Sequence, residues 1–277
     1  TWINTDRIFS AIKQFGNDKA PGVDLLNPRI LKPLPKESLV VLSLLFKTSM
    51  LLAYVPLEWR TSSVVFIPKQ GKDDYSQVRS WRPISLMPFL FKTMERLVLW
   101  HLQETSLKDY SLHKHQYAFQ AGKSTEHALL TVVSAIEKHT LNGKHAIAIA
   151  LDIEGAFDNL DPASVTESLR TRGTEDDLVV WIDNYLQSRR IVVNLSGTAT
   201  TRHLVRGTPQ GGVLSPLLWC IAFDEVLELF PDLGPILAVG FADDLILVCG
   251  GLDLDTMVRR LQPALYQVAE WGARNLL

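Results

Sequence analysis

Two short apolar runs, Leu237–Val239 and Leu245–Val248, flank the tetrad Phe241-Ala242-Asp243-Asp244. A link this short between strand-like runs can only fold back on itself, so the expectation is a hairpin with two adjacent carboxylates at its tip. A third apolar run, Ala146–Leu151, follows the turn signal Asn142-Gly143 and ends in Asp152. Its continuity predicts a buried strand with a carboxylate at its end. Taken singly, Asp243-Asp244 also reads as a polar hairpin tip and Asp152 as a helix cap. Carboxylates set against apolar strands are nevertheless costly unless cations or a metal compensate them, and hard oxygen donors at a sheet edge suit Mg²⁺.

The remaining pattern mixes helices with strands. Thr5 to Phe15 places Ile8, Phe9, Ile12 and Phe15 on one helical face. Ala20-Pro21-Gly22-Val23-Asp24 is turn chemistry, and Glu37 to Leu52 reads as a largely buried helix. Ser62 to Ile67 is β-branched and aromatic, hence a strand, closed by a turn at Pro68-Lys69-Gln70-Gly71-Lys72. Arg79 to Leu86 contains Pro83 and reads as extended or irregular. Helices are predicted over 89–103, 125–139, 162–171, 176–186, 215–230 and 256–271, with two strands, Arg190–Leu195 and Thr200–Val205, joined at Ser196-Gly197. These elements, with mostly antiparallel strands, predict an α+β fold.

Length sets one large or two intimate domains for the 277 residues. The net charge of -2 is not that of a general nucleic-acid binder. Its distribution is uneven: residues 60–123 hold ten Lys or Arg against five Asp or Glu, and residues 224–277 hold three against nine. Such polarity suits a chain that grips a polyanion in one place and cations in another, although ordinary solvated surface gives the same count. Cys220 and Cys249 lie in apolar stretches and read as buried free thiols, which excludes a disulfide framework. The longest uncharged run, near Gly207–Phe223, contains Pro209, Pro216 and three glycines and is a poor membrane span. No signal-peptide pattern is visible, and none of the seven histidines shows metal-ligand spacing with cysteine. Gln120-Ala121-Gly122-Lys123-Ser124 is not a phosphate loop, because the required first glycine is Tyr117.

Four motif regions in order, the first of them in two pieces, resemble those of reverse transcriptases of the non-LTR retrotransposon type. Ile67-Pro68-Lys69 and Ser80-Trp81-Arg82-Pro83-Ile84-Ser85-Leu86 resemble the fingers motifs. Leu151-Asp152-Ile153-Glu154-Gly155-Ala156-Phe157-Asp158 resembles the first catalytic motif. Gly207-Thr208-Pro209-Gln210-Gly211-Gly212-Val213-Leu214-Ser215-Pro216 is similar to the glycine-rich template-and-nucleotide motif, and Phe241-Ala242-Asp243-Asp244 to the paired-aspartate hairpin. One such match is weak, whereas four in order over most of the chain are specific.

The resemblance implies a right-hand polymerase: residues 1–88 fingers, 89–165 the first part of the palm, 166–205 an intervening helix and strand segment, and 206–277 the rest of the palm. It implies an antiparallel palm sheet backed by helices, with the thumb absent. Asp152 and Asp243 would be metal ligands, and Asp244, turned aside by strand alternation, would act more as electrostatic support. Two Mg²⁺ would serve, with Mn²⁺ as an alternative, in transferring deoxynucleotides to a primer 3′-hydroxyl. Lys69 and Arg82 would grip the triphosphate, with Arg79 a weaker candidate. Gln210 and Gly211 would let base or ribose approach the backbone, and Phe157 would close the space beside the sugar 2′ position. Implied partners are an RNA template, a DNA primer, deoxynucleoside triphosphates and further domains of one polyprotein, with no membrane. The implied setting is intracellular, nucleus and cytoplasm, and not secreted. Because residue 1 is Thr and the lysine-bearing segment, primer grip and thumb are not visible, the reading expects a fragment of a longer polypeptide. Its competitors are an inactive or co-opted fragment that binds RNA or a protein, and an RNA-dependent RNA polymerase, against which Phe157 argues.

Overall fold

The computed structural model describes residues 1–195, 197–231 and 234–277. In chain order the elements are α1 (Thr5–Lys13), α2 (Pro28–Leu31), α3 (Lys36–Leu51), α4 (Leu57–Arg60), β1 (Thr61–Pro68), β2 (Trp81–Leu86), α5 (Phe89–Glu104), α6 (Ser106–Asp109), α7 (Thr125–Thr140), β3 (His145–Asp152), α8 (Ala156–Asn159), α9 (Pro162–Thr171), α10 (Asp176–Gln187), β4 (Arg189–Leu195), β5 (Thr198–Leu204), α11 (Ser215–Glu228), β6 (Ile236–Phe241), β7 (Asp244–Gly251) and α12 (Leu254–Arg274). The chain divides into two compact units: residues 1–109 with 169–215, and residues 110–168 with 216–277. Among the described residues no helix is long and apolar enough to cross a membrane.

The first unit joins helices to a four-stranded sheet of order β2-β1-β4-β5. β1–β2 and β4–β5 are antiparallel, while β1 and β4 run parallel from Thr61↔Arg190 to Val64↔Val193, so the sheet is mixed. Pro83 is tolerated because β2 is an edge strand, where a missing N–H breaks no second ladder. Of the two readings of this segment, extended or irregular, the extended one holds: it is a regular strand entered through a 3₁₀ turn, Val78–Ser80. Aromatic packing fills the core: the Phe91 ring lies 4.6 Å from Tyr185 and 6.0 Å from Trp181, whose indole N–H donates to the Ser49 hydroxyl at 3.0 Å. The helix α3 is only half buried, contrary to the expectation from its composition. Leu39, Leu42 and Phe46 face inward, whereas Val41 and Leu44 are 55% and 59% exposed. Its polar residues do not mark the outer side, because Ser43 and Ser49 are buried while Val41 and Leu44 face out. Of the expected turn at Ser196-Gly197, Ser196 lies outside the described residues; Gly197 takes φ 82°.

The second unit is built on an antiparallel sheet of order β3-β7-β6. One face carries α7, whose Ala128 and Val132 pack with Val239 and Val248. The opposite face carries α11, where Phe223 fits so closely that a Cβ on Gly240 would come within 2.5 Å of the ring. α11 buries Leu217 through Phe223 without interruption, in keeping with a helix apolar all round. The expected burial of the Ala146–Leu151 strand is not found. β3 is an edge strand whose residues are half-buried or exposed, since it has a single strand neighbour. Cys220 and Cys249 are buried free thiols, and burial pushes the Cys220 thiol up to about 12.

Candidate active site

In the second unit the strand register brings the carboxylates to one end of the sheet. Leu151 pairs with Leu245, and Asp152 pairs directly with Asp244. Facing residues of an antiparallel pair share a sheet face, with Cβ atoms about 5 Å apart. Alternation puts Asp152 and Asp244 on the α7 side together with Ala150 and Ile246. Asp243 occupies the two-residue turn Ala242-Asp243, and its carbonyl accepts the Ile153 N–H at 3.2 Å, which ties the hairpin tip to the end of β3. Burial first, then the neighbouring charges of Asp243 and Asp152, raise the Asp244 carboxyl above its usual range. An apolar cavity of about 270 Å³ adjoins it, lined by Thr125, Ala128, Leu129, Phe241 and Ile246 among others.

The tip is held from behind. Ala242 adopts φ 55°, a turn conformation that favours glycine, and its carbonyl accepts the buried Trp219 indole N–H at 2.8 Å. The same Trp219 packs against Phe157, centroids 5.9 Å apart, and Phe157 meets Phe119 edge-on at 6.3 Å. Phe157 follows Gly155, whose φ of 70° turns the chain from β3 into α8. One buried indole thus fixes both the aspartate turn and the half-buried Phe157 ring. Composition gives no sign of this, since Trp219 sits in an apolar helix and reads as core.

The other candidate residues gather in the first unit, on and beside β2. Ile67 pairs with Arg82, and the Lys69 N–H continues the ladder by donating to Ser80 at 2.8 Å. Alternation therefore sets Lys69 on the Arg82 face of this hairpin. The glycine-rich loop docks on the same strand: the Ser85 N–H donates to the Gln210 carbonyl at 2.8 Å. Gly211 adopts φ 122°, and a Cβ there would lie 2.7 Å from the Ser85 carbonyl oxygen. Only glycine allows that approach. The loop is also anchored by the buried Arg189, which donates to the carbonyls of Arg206 and Gly207 at 2.5 and 2.7 Å. Lys69, Arg82, Gln210 and Gly211 thus form one group, and Asp152, Asp243, Asp244 and Phe157 a second.

Residues 67–277 match the family profile described as reverse transcriptase (RNA-dependent DNA polymerase). The chain belongs to the reverse transcriptase family. It is 29% identical to a probable RNA-directed DNA polymerase from transposon X-element of Drosophila melanogaster, over 96% of this chain and 29% of that protein. It is 29% identical to the RNA-directed DNA polymerase from mobile element jockey of the same species, over 98% of this chain and 30% of that protein. The chain thus spans under a third of the length of these curated relatives. An apo telomerase structure from Candida tropicalis, truncated from its C-terminal domain, shares the fold with a TM-score of 0.54 at 15% identity, over 84% of this chain and 53% of that one.

Divalent metals are usual in the reverse transcriptase family. Asp152 and Asp244 supply hard oxygens from facing positions. Burial first, and then the charges of Asp243 and Asp152, raise the Asp244 carboxyl, and a bound cation would oppose both effects. The residues fit such an ion. Among the described residues, however, no group of three or more His, Cys, Asp or Glu side chains is gathered as a closed ligand set. An ion here would complete its coordination with other oxygens, as Mg²⁺ usually does with water and phosphate.

Proposed function

We propose that this chain is the fingers-and-palm core of an RNA-directed DNA polymerase, adding deoxynucleotides to a primer 3′-hydroxyl on an RNA template. The fingers are residues 1–88 and the palm residues 89–165 and 206–277, so each compact unit carries part of the palm. The observation that carries the reading is the register pairing of Asp152 with Asp244 beside the Asp243 turn, within a chain of the reverse transcriptase family. Asp152 and Asp243, together with Asp244, would hold two Mg²⁺, with Mn²⁺ as an alternative. Bound there, the ions would lower the pKa of the primer hydroxyl and offset charge on the transferred phosphoryl group and the leaving pyrophosphate.

The protein's own residues bind and orient. Lys69 meets the triphosphate with a mobile point charge and Arg82 with a planar fork. Gln210 and Gly211 present backbone to the base and ribose. Phe157, braced by Trp219, occupies the space a ribose 2′-hydroxyl would need, and so selects deoxynucleotides. RNA, a DNA primer and further domains of a retrotransposon polyprotein are the proposed partners.

The test is extension of a DNA primer annealed to RNA, with deoxynucleotides and ribonucleotides in parallel. Extension with deoxynucleotides alone supports the proposal. Extension with both would favour an RNA polymerase, and RNA binding without extension would favour an inert, co-opted domain.

A further inference from the structure

Glu95 is fully buried in α5, a site where an ionised carboxylate is expensive unless something specific holds it. What holds it is the end of the glycine-rich loop. Its Oε2 accepts the Val213 N–H at 2.9 Å, and the Leu214 N–H also donates to the carboxylate. Its Oε1 accepts the Tyr185 hydroxyl at 3.3 Å. The fit is close on the loop side too, since a Cβ on Gly212 would lie 3.0 Å from Oε1. The far end of the loop is set by Ser85 at Gln210, so Gln210 and Gly211 lie between two fixed points, one of them a buried charge.

We propose that Glu95 is a positioning residue for nucleotide binding, one that holds the Gln210–Gly212 backbone in the conformation that receives the incoming nucleotide. This rests on the polymerase reading above. A neutral amide in the same place offers the loop N–H groups one uncharged carbonyl oxygen in place of a carboxylate, so both bonds lose their charge assistance. An apolar residue would strand both.

The charge state of Glu95 matters in the neutral range. Burial raises its carboxyl to about 7, opposed by the loop N–H groups, by Lys92 on its own helix and by the Tyr185 hydroxyl from α10. Arg96 on α5 and Arg189 beside Tyr185 are the other charged groups on this side. A carboxyl raised above its unfolded value stabilises the fold at low pH and loses that contribution as pH rises through about 7. Glu95 is therefore ionised at a cost to stability, the reverse of what a purely structural residue would show. Nucleotide binding should follow the opposite trend and strengthen as Glu95 ionises.

The test compares wild type with Glu95→Gln by amide hydrogen exchange and by nucleotide KM across pH 6 to 8. The expected result is roughly tenfold loss of protection at Val213 and Leu214 and roughly tenfold higher KM at pH 8, with kcat within about twofold. The fall of wild-type KM with rising pH should vanish in the variant, and its melting temperature at pH 8 should equal or exceed that of wild type. Unchanged protection, unchanged KM, or a KM effect that merely tracks a lower melting temperature would overturn the proposal. If wild type extends no primer, the polymerase reading fails, and the exchange comparison alone decides whether Glu95 holds the loop.

Discussion

Gly211 and Phe157 show how single positions act through space as well as contact. At Gly211 the backbone leaves room for no Cβ, so Gly211→Ala must move the loop off Ser85. We expect a loss of about 1–3 kcal/mol by thermal unfolding, together with weaker nucleotide binding. Wild-type stability in that variant would mean the loop is free to shift. Phe157→Ala should open the sugar side and raise incorporation of ribonucleotides relative to deoxynucleotides by about tenfold or more. Steady-state competition between the two nucleotides measures this, and an unchanged ratio rejects the steric gate. Arg82→Ala should raise the nucleotide KM more than it weakens template binding.

At the scale of elements, the β6–β7 hairpin depends on a helix that touches it from behind. Trp219→Phe keeps an aromatic ring but removes the N–H that holds the Ala242 carbonyl and leaves a small cavity at this buried site, with an expected cost of about 2–3 kcal/mol and a looser aspartate turn. Faster hydrogen exchange at Asp243 and Asp244 reads this out. The elements themselves were largely legible: periodicity placed α5, α7, α9 and α10 within a residue or two, and apolar runs placed β6 and β7. Burial was less so. The Ala146–Leu151 run looks buried because edge and centre strands share a composition here, and only pairing partners reveal an edge. Motif residues announced themselves by type and spacing. Their supports, Glu95, Trp219 and Arg189, did not. Each acts across the fold, Glu95 on a loop 118 residues away, and a lone Glu in an amphipathic helix reads as surface.

For the molecule as a whole, charge separation should govern association with nucleic acid. The cationic excess over residues 60–123 predicts RNA affinity that falls steeply with salt, by about tenfold or more between 50 and 200 mM if several phosphates are contacted. Fluorescence anisotropy at several salt concentrations measures the slope, and a flat response would remove the electrostatic grip. Acid composition over residues 224–277 reflects a different demand, since part of it is the aspartate pair itself. The most direct test of the central claim is the single-turnover rate of deoxynucleotide addition on an RNA template, followed against Mg²⁺ in wild type and Asp152→Asn. The expected result is a Mg²⁺-dependent wild-type rate and a variant slower by about a thousandfold or more, since several kcal/mol of charge stabilisation would be lost. A variant rate within tenfold of wild type would contradict it.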